Sequence, residues 1–158
     1  MRLSSEDSPL RTIRAILFWA LLAGTAGTLI ELLLIGHDEM VAQLVPLILL
    51  SLGLVVGPMT LVARRTATFR MLQLLMVLFI LSGFVGVGLH VAGNRAFELE
   101  MHPSRSGLEL LSKTFTGATP VLAPGSMTLL GVVGLAFTYR HPLLESARDE
   151  GSSKEASS

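Results

Sequence analysis

The sequence predicts an all-α integral membrane protein: a four-helix bundle of transmembrane helices, with a short amphipathic helix on its outer surface between the third and fourth spans. Three observations lead there. Of the 158 residues, 51% are hydrophobic and 15% charged, an apolar share at the top of the soluble range and a charged share well below it. The apolar residues gather in four stretches, each near the roughly 20 residues a helix needs to cross a hydrocarbon core of about 30 Å. Those stretches run unbroken instead of alternating in and out, so helices, not barrel strands, must satisfy the backbone in lipid.

The spans fall at about 13–35, 41–63, 71–91 and 120–139. They make one transmembrane domain, 11–142, between a disordered cytoplasmic N-terminus at 1–10 and a disordered cytoplasmic tail at 143–158; both tails have too little apolar surface to offset the entropy of ordering. Arg11 and Arg14, followed by an apolar run and Gly24-Thr25-Ala26-Gly27, imitate a secretory signal with a cleavage site. The run continues to Ile35, however, and so outlasts an h-region of roughly 7–15 residues.

The linker Gly36-His37-Asp38-Glu39-Met40 is short enough to require a tight antiparallel hairpin, and the linker 64–70 does the same between the second and third spans. Pro46 and the Gly57-Pro58 pair are expected to bend the second span. Beyond the third span, His90, Asn94, Glu98 and His102 recur every four residues, as they would along one side of a helix continuing past the membrane, with Pro103 to stop it. The stretch 97–102 also alternates with period two, which a short extended segment would equally produce. Continuation of the helix is the favoured reading, because Gly93 alone is a weak breaker. Within the outer loop, 93–119, Leu108, Leu111 and Phe115 lie on one face of a predicted amphipathic helix over 106–115, resting on the membrane surface.

Basic residues set the orientation. Arg2, Arg11, Arg14, Arg64, Arg65, Arg70, Arg140, Arg148 and Lys154 fall on one side, and Arg95, Arg105 and Lys113 on the other. Basic residues resist translocation, so both termini are placed in the cytoplasm of a multi-pass cell-membrane protein, and the opposite face carries His37, Asp38, Glu39 and the long loop.

The most informative polar residue is Glu31, a carboxylate inside a span, where a charge costs about 2.5–3.5 kcal/mol unless it is paired or hydrated. Its place one turn from the span's outer end lets it snorkel to the interface, so a rim carboxylate is the plain alternative. Gly24, Gly27 and Glu31 repeat the spacing of Gly83, Gly86 and His90, so both glycine faces are expected to turn into the bundle and bring Glu31 and His90 to similar depth. Gln43 and Ser126 lie at the same level. The expectation is an intramembrane polar layer of Glu31, Gln43, His90 and Ser126. Leu52-Gly53-Leu54-Val55-Val56-Gly57 is echoed by Leu130-Gly131-Val132-Val133-Gly134, as an internal duplication would produce, although glycine is common in membrane helices and the loops give no support.

Function is less legible. Cysteine is absent, which excludes disulfides, thiolate metal sites, CxxC redox pairs and haem attachment through CxxCH. Charge is balanced at 12 basic against 12 acidic residues, giving no pointer to nucleic acid. No serine–histidine–acid set, phosphate loop or acid pair emerges, so no enzyme is expected. The first reading is a structural or accessory subunit that packs in the lipid bilayer with other membrane proteins or with its own copies. The second is an outer-side metal or haem site drawn from His90, Glu31, Glu98, His102 and His37, residue types that suit zinc, copper or iron; only Glu98 and His102 share ligand-like spacing on one helix. The third is proton-coupled or amphiphile transport by an oligomer, with Glu31 titrating. No motif that defines a family is present, and no cofactor is specified.

Overall fold

The computed structural model describes residues 7–37 and 40–145. Among these, the chain forms α1 (Asp7–Leu34), α2 (Val41–Ala63), α3 (Thr66–Met101), α4 (Gly107–Phe115) and α5 (Gly125–Thr138), with a last helical turn at 142–145 and no strand. The fold is all-α, and α1, α2 and α3 are each long and apolar enough to cross a membrane.

Helix α1 starts earlier than the hydropathy suggests. Pro9 falls in its first turn, where a missing N–H removes no helical bond, so residues 7–10 are helical instead of part of a disordered tail. The α1–α2 corner closes with Gly36 at φ +65°. There the His37 N–H reaches Leu32 O at 2.9 Å and the Gly36 N–H reaches Leu33 O at 3.2 Å, the paired bonds of a Schellman ending, which needs a left-handed residue that glycine supplies without strain. Helix α2 opens with the Met40 N–H donating to Gln43 Oε1 at 2.8 Å. It runs on through Pro46 and Pro58 and ends where Arg64 turns left-handed at φ 42°.

Helix α3 begins five residues before the expected span and continues for 36 residues. It passes Gly93 without a break and stops at Met101, two residues before Pro103. Helical continuation, not an extended segment, therefore occupies 97–101. The fourth expected span is shortened at its start. Pro120 and Pro124 have no N–H to donate, so 120–127 wind through i→i−3 bonds, among them Ala123 N–H to Pro120 O at 3.2 Å and Met127 N–H to Pro124 O at 3.1 Å. Regular helix is confined to the 14 residues of α5.

The helices pack in a ring: α1 against α2 and α5, α3 against α2 and α5, with α4 laid on α3. Helices α1 and α3 are thus diagonal to one another. Phe18, Leu21, Leu50, Leu72, Met76, Phe79, Leu130 and Phe137 fill the centre, with the Phe137 ring 5.4 Å from Phe18 and 6.1 Å from Phe69. Glycines set the α3–α5 separation. A Cβ on Gly131 would lie 2.5 Å from Met76 O, and one on Gly83 would lie 2.7 Å from Thr128 N and 2.9 Å from Pro124 O, so neither helix backbone tolerates a side chain there. The Gly83–Gly86 face of α3 therefore meets α5, not α1.

Beyond α5 the chain folds back on itself. Arg140 adopts φ 46°, Arg14 Nη2 donates to Arg140 O at 3.0 Å, and Thr66 Oγ1 donates to Leu143 O at 3.2 Å. The His141 ring stacks on Phe69 at 4.0 Å. Leu143 and Leu144 rest on the core, so residues 143–145 are held in place, contrary to the expected disordered tail. Arg2, Asp38, Glu39, Arg148, Lys154 and the remainder of both expected tails lie outside the described residues.

Candidate functional site

Two polar regions flank the apolar middle. At the Arg-rich end, Arg14, Arg64, Arg70 and Arg140 gather around His141 and the Gln73–Thr138 pair, in which Gln73 Nε2 donates to Thr138 Oγ1 at 3.3 Å. Burial, and then the charges of Arg14 and Arg64, hold the His141 imidazole below its ordinary pKa. An open groove of about 970 Å³ between α3 and α5 lies here, lined in part by Arg70, Gln73, Tyr139, Arg140 and Glu145.

At the far end, α3 carries a ladder of bonded side chains. His90 Nδ1 lies 3.0 Å from the Pro120 carbonyl; a carbonyl can only accept, so the proton sits on Nδ1. One turn on, Asn94 is buried at 3% exposure. Its amide donates to Thr114 O at 3.0 Å and Thr119 O at 2.8 Å, and its Oδ1 accepts from the Thr119 N–H at 3.1 Å and the Thr119 hydroxyl at 2.6 Å. One turn further, Glu98 is paired with Arg105, which also donates from Nε to Glu109 at 2.9 Å. Three of the four residues of the expected stripe, His90, Asn94 and Glu98, therefore share the helix and work as a set of ties, while His102 falls beyond the helix end. His90 holds the start of the α5 lead-in, Asn94 the end of α4 and the loop after it, and Glu98 the turn before α4.

The four residues of the expected polar layer are not brought together. Gln43 is spent on capping α2. The exposed Ser126 hydroxyl donates to Ala123 O at 2.9 Å in its own turn. Glu31 is exposed on α1, and its carboxylate has no hydrogen bond or ion pair among the described residues. The cause lies in α5. Gly24 faces Leu130, and Glu31 stands seven residues, about 10.5 Å, further along the same face. At that level α5 has given way to its proline-bound lead-in, which leans on α3 through Pro124 against Gly86 and Pro120 against His90. The flank of α1 around Glu31 is left open.

Nor do the candidate metal ligands converge. Among the described residues no three of His, Asp and Glu are placed to hold one ion. Glu98 is committed to Arg105, and His102 is exposed just past the end of α3. His37 is within electrostatic range of His90; burial, and then the His90 charge, lower its pKa. No buried side-chain nitrogen or oxygen among the described residues is left without a partner.

The sequence assigns Arg105 to the outer side without a role and singles out neither Thr119 nor the His141 stack. The spacing of Arg105 and Glu109, four apart at the start of a predicted helix, is the one local signal that could have found a partner for Arg105. Asn94 meets Thr119 across 25 positions, which no periodicity encodes. Searches against family models, curated proteins and solved structures match nothing to this chain.

Proposed function

We propose that the chain is a multi-pass membrane protein with four crossings, its Arg-rich end in the cytoplasm, acting as a structural or accessory subunit that packs against other membrane proteins or further copies of itself. Several features support the crossings. The outward surfaces of α1, α2 and α3 carry large apolar side chains, among them Ile16, Trp19, Val62, Leu74 and Phe84, each exposed by more than 60%, which suits lipid and not water. Helix α5 adds about 21 Å at 1.5 Å per residue, and its five-residue lead-in about 10 Å at the tighter i→i−3 rise, together near the thickness of a hydrocarbon core.

The observation that carries the accessory role is the open flank of α1. Ala20, Ala23, Gly27 and Glu31 are all exposed, and a Cβ on Gly27 would meet nothing within 4 Å. Small residues admit a neighbouring helix closely, and a carboxylate facing lipid gains most from a donor on that neighbour. Neither alternative reading gains a comparable observation, since no three of the candidate ligands come together among the described residues and the groove at the Arg-rich end is open to the surface.

The test is purification of the full chain in mild detergent, with a photo-crosslinker placed at Gly27. A stoichiometric crosslinked partner, or a crosslinked second copy, that is lost in Glu31→Gln is the expected result. A chain that stays single in native membranes and is indifferent to Glu31→Gln would overturn the proposal.

A further inference from the structure

We infer that the groove between α3 and α5 at the Arg-rich end binds the headgroup of an anionic phospholipid, with the phosphate held between Arg70 and Arg140. This rests on the membrane reading above and adds a ligand to it.

The groove is a built feature of the corner that follows α5. Arg70 and Gln73 lie three residues apart and so share one face of α3, while the Gln73–Thr138 bond fixes that face against the end of α5. Arg140 follows directly, on a backbone turned left-handed at φ 46°. Its carbonyl is gripped by Arg14, and the residues after it are anchored by Thr66 and by the His141–Phe69 stack. Its guanidinium lies 5.8 Å from the centroid of the Tyr139 ring. The position of Arg140 is thus set by the protein before any ligand arrives, which lowers the entropy lost on binding.

The charges are also available. Among the described residues neither Arg70 nor Arg140 takes part in an ion pair, so neither is neutralised by a carboxylate in contact. Glu145 lines the same groove and leaves an excess of one positive charge there, with Arg14 and Arg64 close behind through His141. Guanidinium groups match a phosphate with paired N–H donors. Gln73 has a second amide hydrogen for a glycerol ester oxygen, and Leu135 continues the groove wall towards the apolar middle, where an acyl chain would run. A tyrosine and two arginines at the end of an apolar pair of helices are at the depth where headgroups sit.

The experiment uses the full chain in nanodiscs of phosphatidylcholine doped with phosphatidylglycerol, followed by native mass spectrometry of the lipid that remains bound. The wild type should retain phosphatidylglycerol over phosphatidylcholine. The double variant Arg70→Gln, Arg140→Gln should lower that preference by about thirtyfold, the factor for two cationic contacts with an anionic headgroup. Arg70→Gln alone, at an exposed position with no hydrogen bond or ion pair among the described residues, should lower it partway without altering the melting temperature in pure phosphatidylcholine. Arg65→Gln with Lys154→Gln also removes two positive charges, at residues that neither line the groove nor enter the argument for it, and should change the preference little. Equal losses in the two double variants would mean diffuse attraction and would overturn the site. So would inorganic phosphate that displaces the lipid at matched concentration, since that outcome assigns the groove to a free anion. Retention in the membrane after an alkaline wash reports insertion separately, so failure of the membrane reading and failure of the headgroup site give different results.

Discussion

Substituting Gly83 and Gly88, one turn and a half apart on α3, should move stability in opposite directions. An alanine Cβ at 83 would stand 2.7 Å from Thr128 N and 2.9 Å from Pro124 O, whereas carbon contacts are comfortable at about 3.5–4.0 Å. These two obstacles are backbone, and the Thr128 hydroxyl crowds the same position, so the start of α5 and its lead-in must retreat by about 0.7–1 Å, an overpacking that costs about 1–3 kcal/mol. Against this, replacing glycine inside a helix recovers about 0.5–1 kcal/mol of backbone entropy. Gly83→Ala should therefore lose up to about 2.5 kcal/mol net. At Gly88 a Cβ meets nothing within 4 Å, so Gly88→Ala should keep the full entropic gain of about 0.5–1 kcal/mol. Reversible unfolding of the micelle-bound protein by sodium dodecyl sulfate, read by far-ultraviolet circular dichroism, measures both. Equal shifts of the same sign would show that α3 and α5 are not held at glycine distance, and the packing described above would fall with them.

Two further perturbations probe the two ends. Asn94→Ala removes four bonds, each worth on the order of 1 kcal/mol, and should expose the 114–119 segment to a broad-specificity protease that spares the wild type; an unchanged digestion pattern would show that the segment is held by other means. At the Arg-rich end, the His141 pKa in the folded chain lies below the ordinary imidazole value of 6.5, so the unfolded chain takes up a proton more readily. Stability is then fully present above pH 6.5 and is lost as the pH falls through that value and on through the lowered one. His141→Phe keeps a ring against Phe69 and should flatten this acid-side decline; a variant with the wild-type slope would place its origin elsewhere.

Much of the fold was legible because hydropathy and helix punctuation act locally. The unbroken apolar runs announced α1, α2 and α3, and Pro103 announced where α3 ends. The ring order was not legible, because the glycine face on α1 and the one on α3 look alike from the sequence and only packing decides which helix each meets. The candidate polar layer failed for a related reason. The spacing put Glu31 on the face of Gly24, as found, but took for granted a fourth helix long enough to cover both. Pro120 and Pro124 cut that helix short and tilt its approach towards α3, a consequence of two missing N–H groups that hydropathy does not weigh. The Asn94 ties depend on a contact between α3 and a loop distant in the chain, so only the polarity of the residue, not its partners, could be read in advance.

The unbroken length of α3 has a mechanical consequence. Its 36 residues make a rod about 54 Å long, and a 10° change of tilt about one end would sweep the other through about 9 Å. Because α4 and the loop after it are fastened to this rod by Asn94 and by the Glu98–Arg105 pair, they would travel with it as one piece, so that a slight rocking among the helices near Arg70 becomes a displacement of molecular size at the opposite extremity.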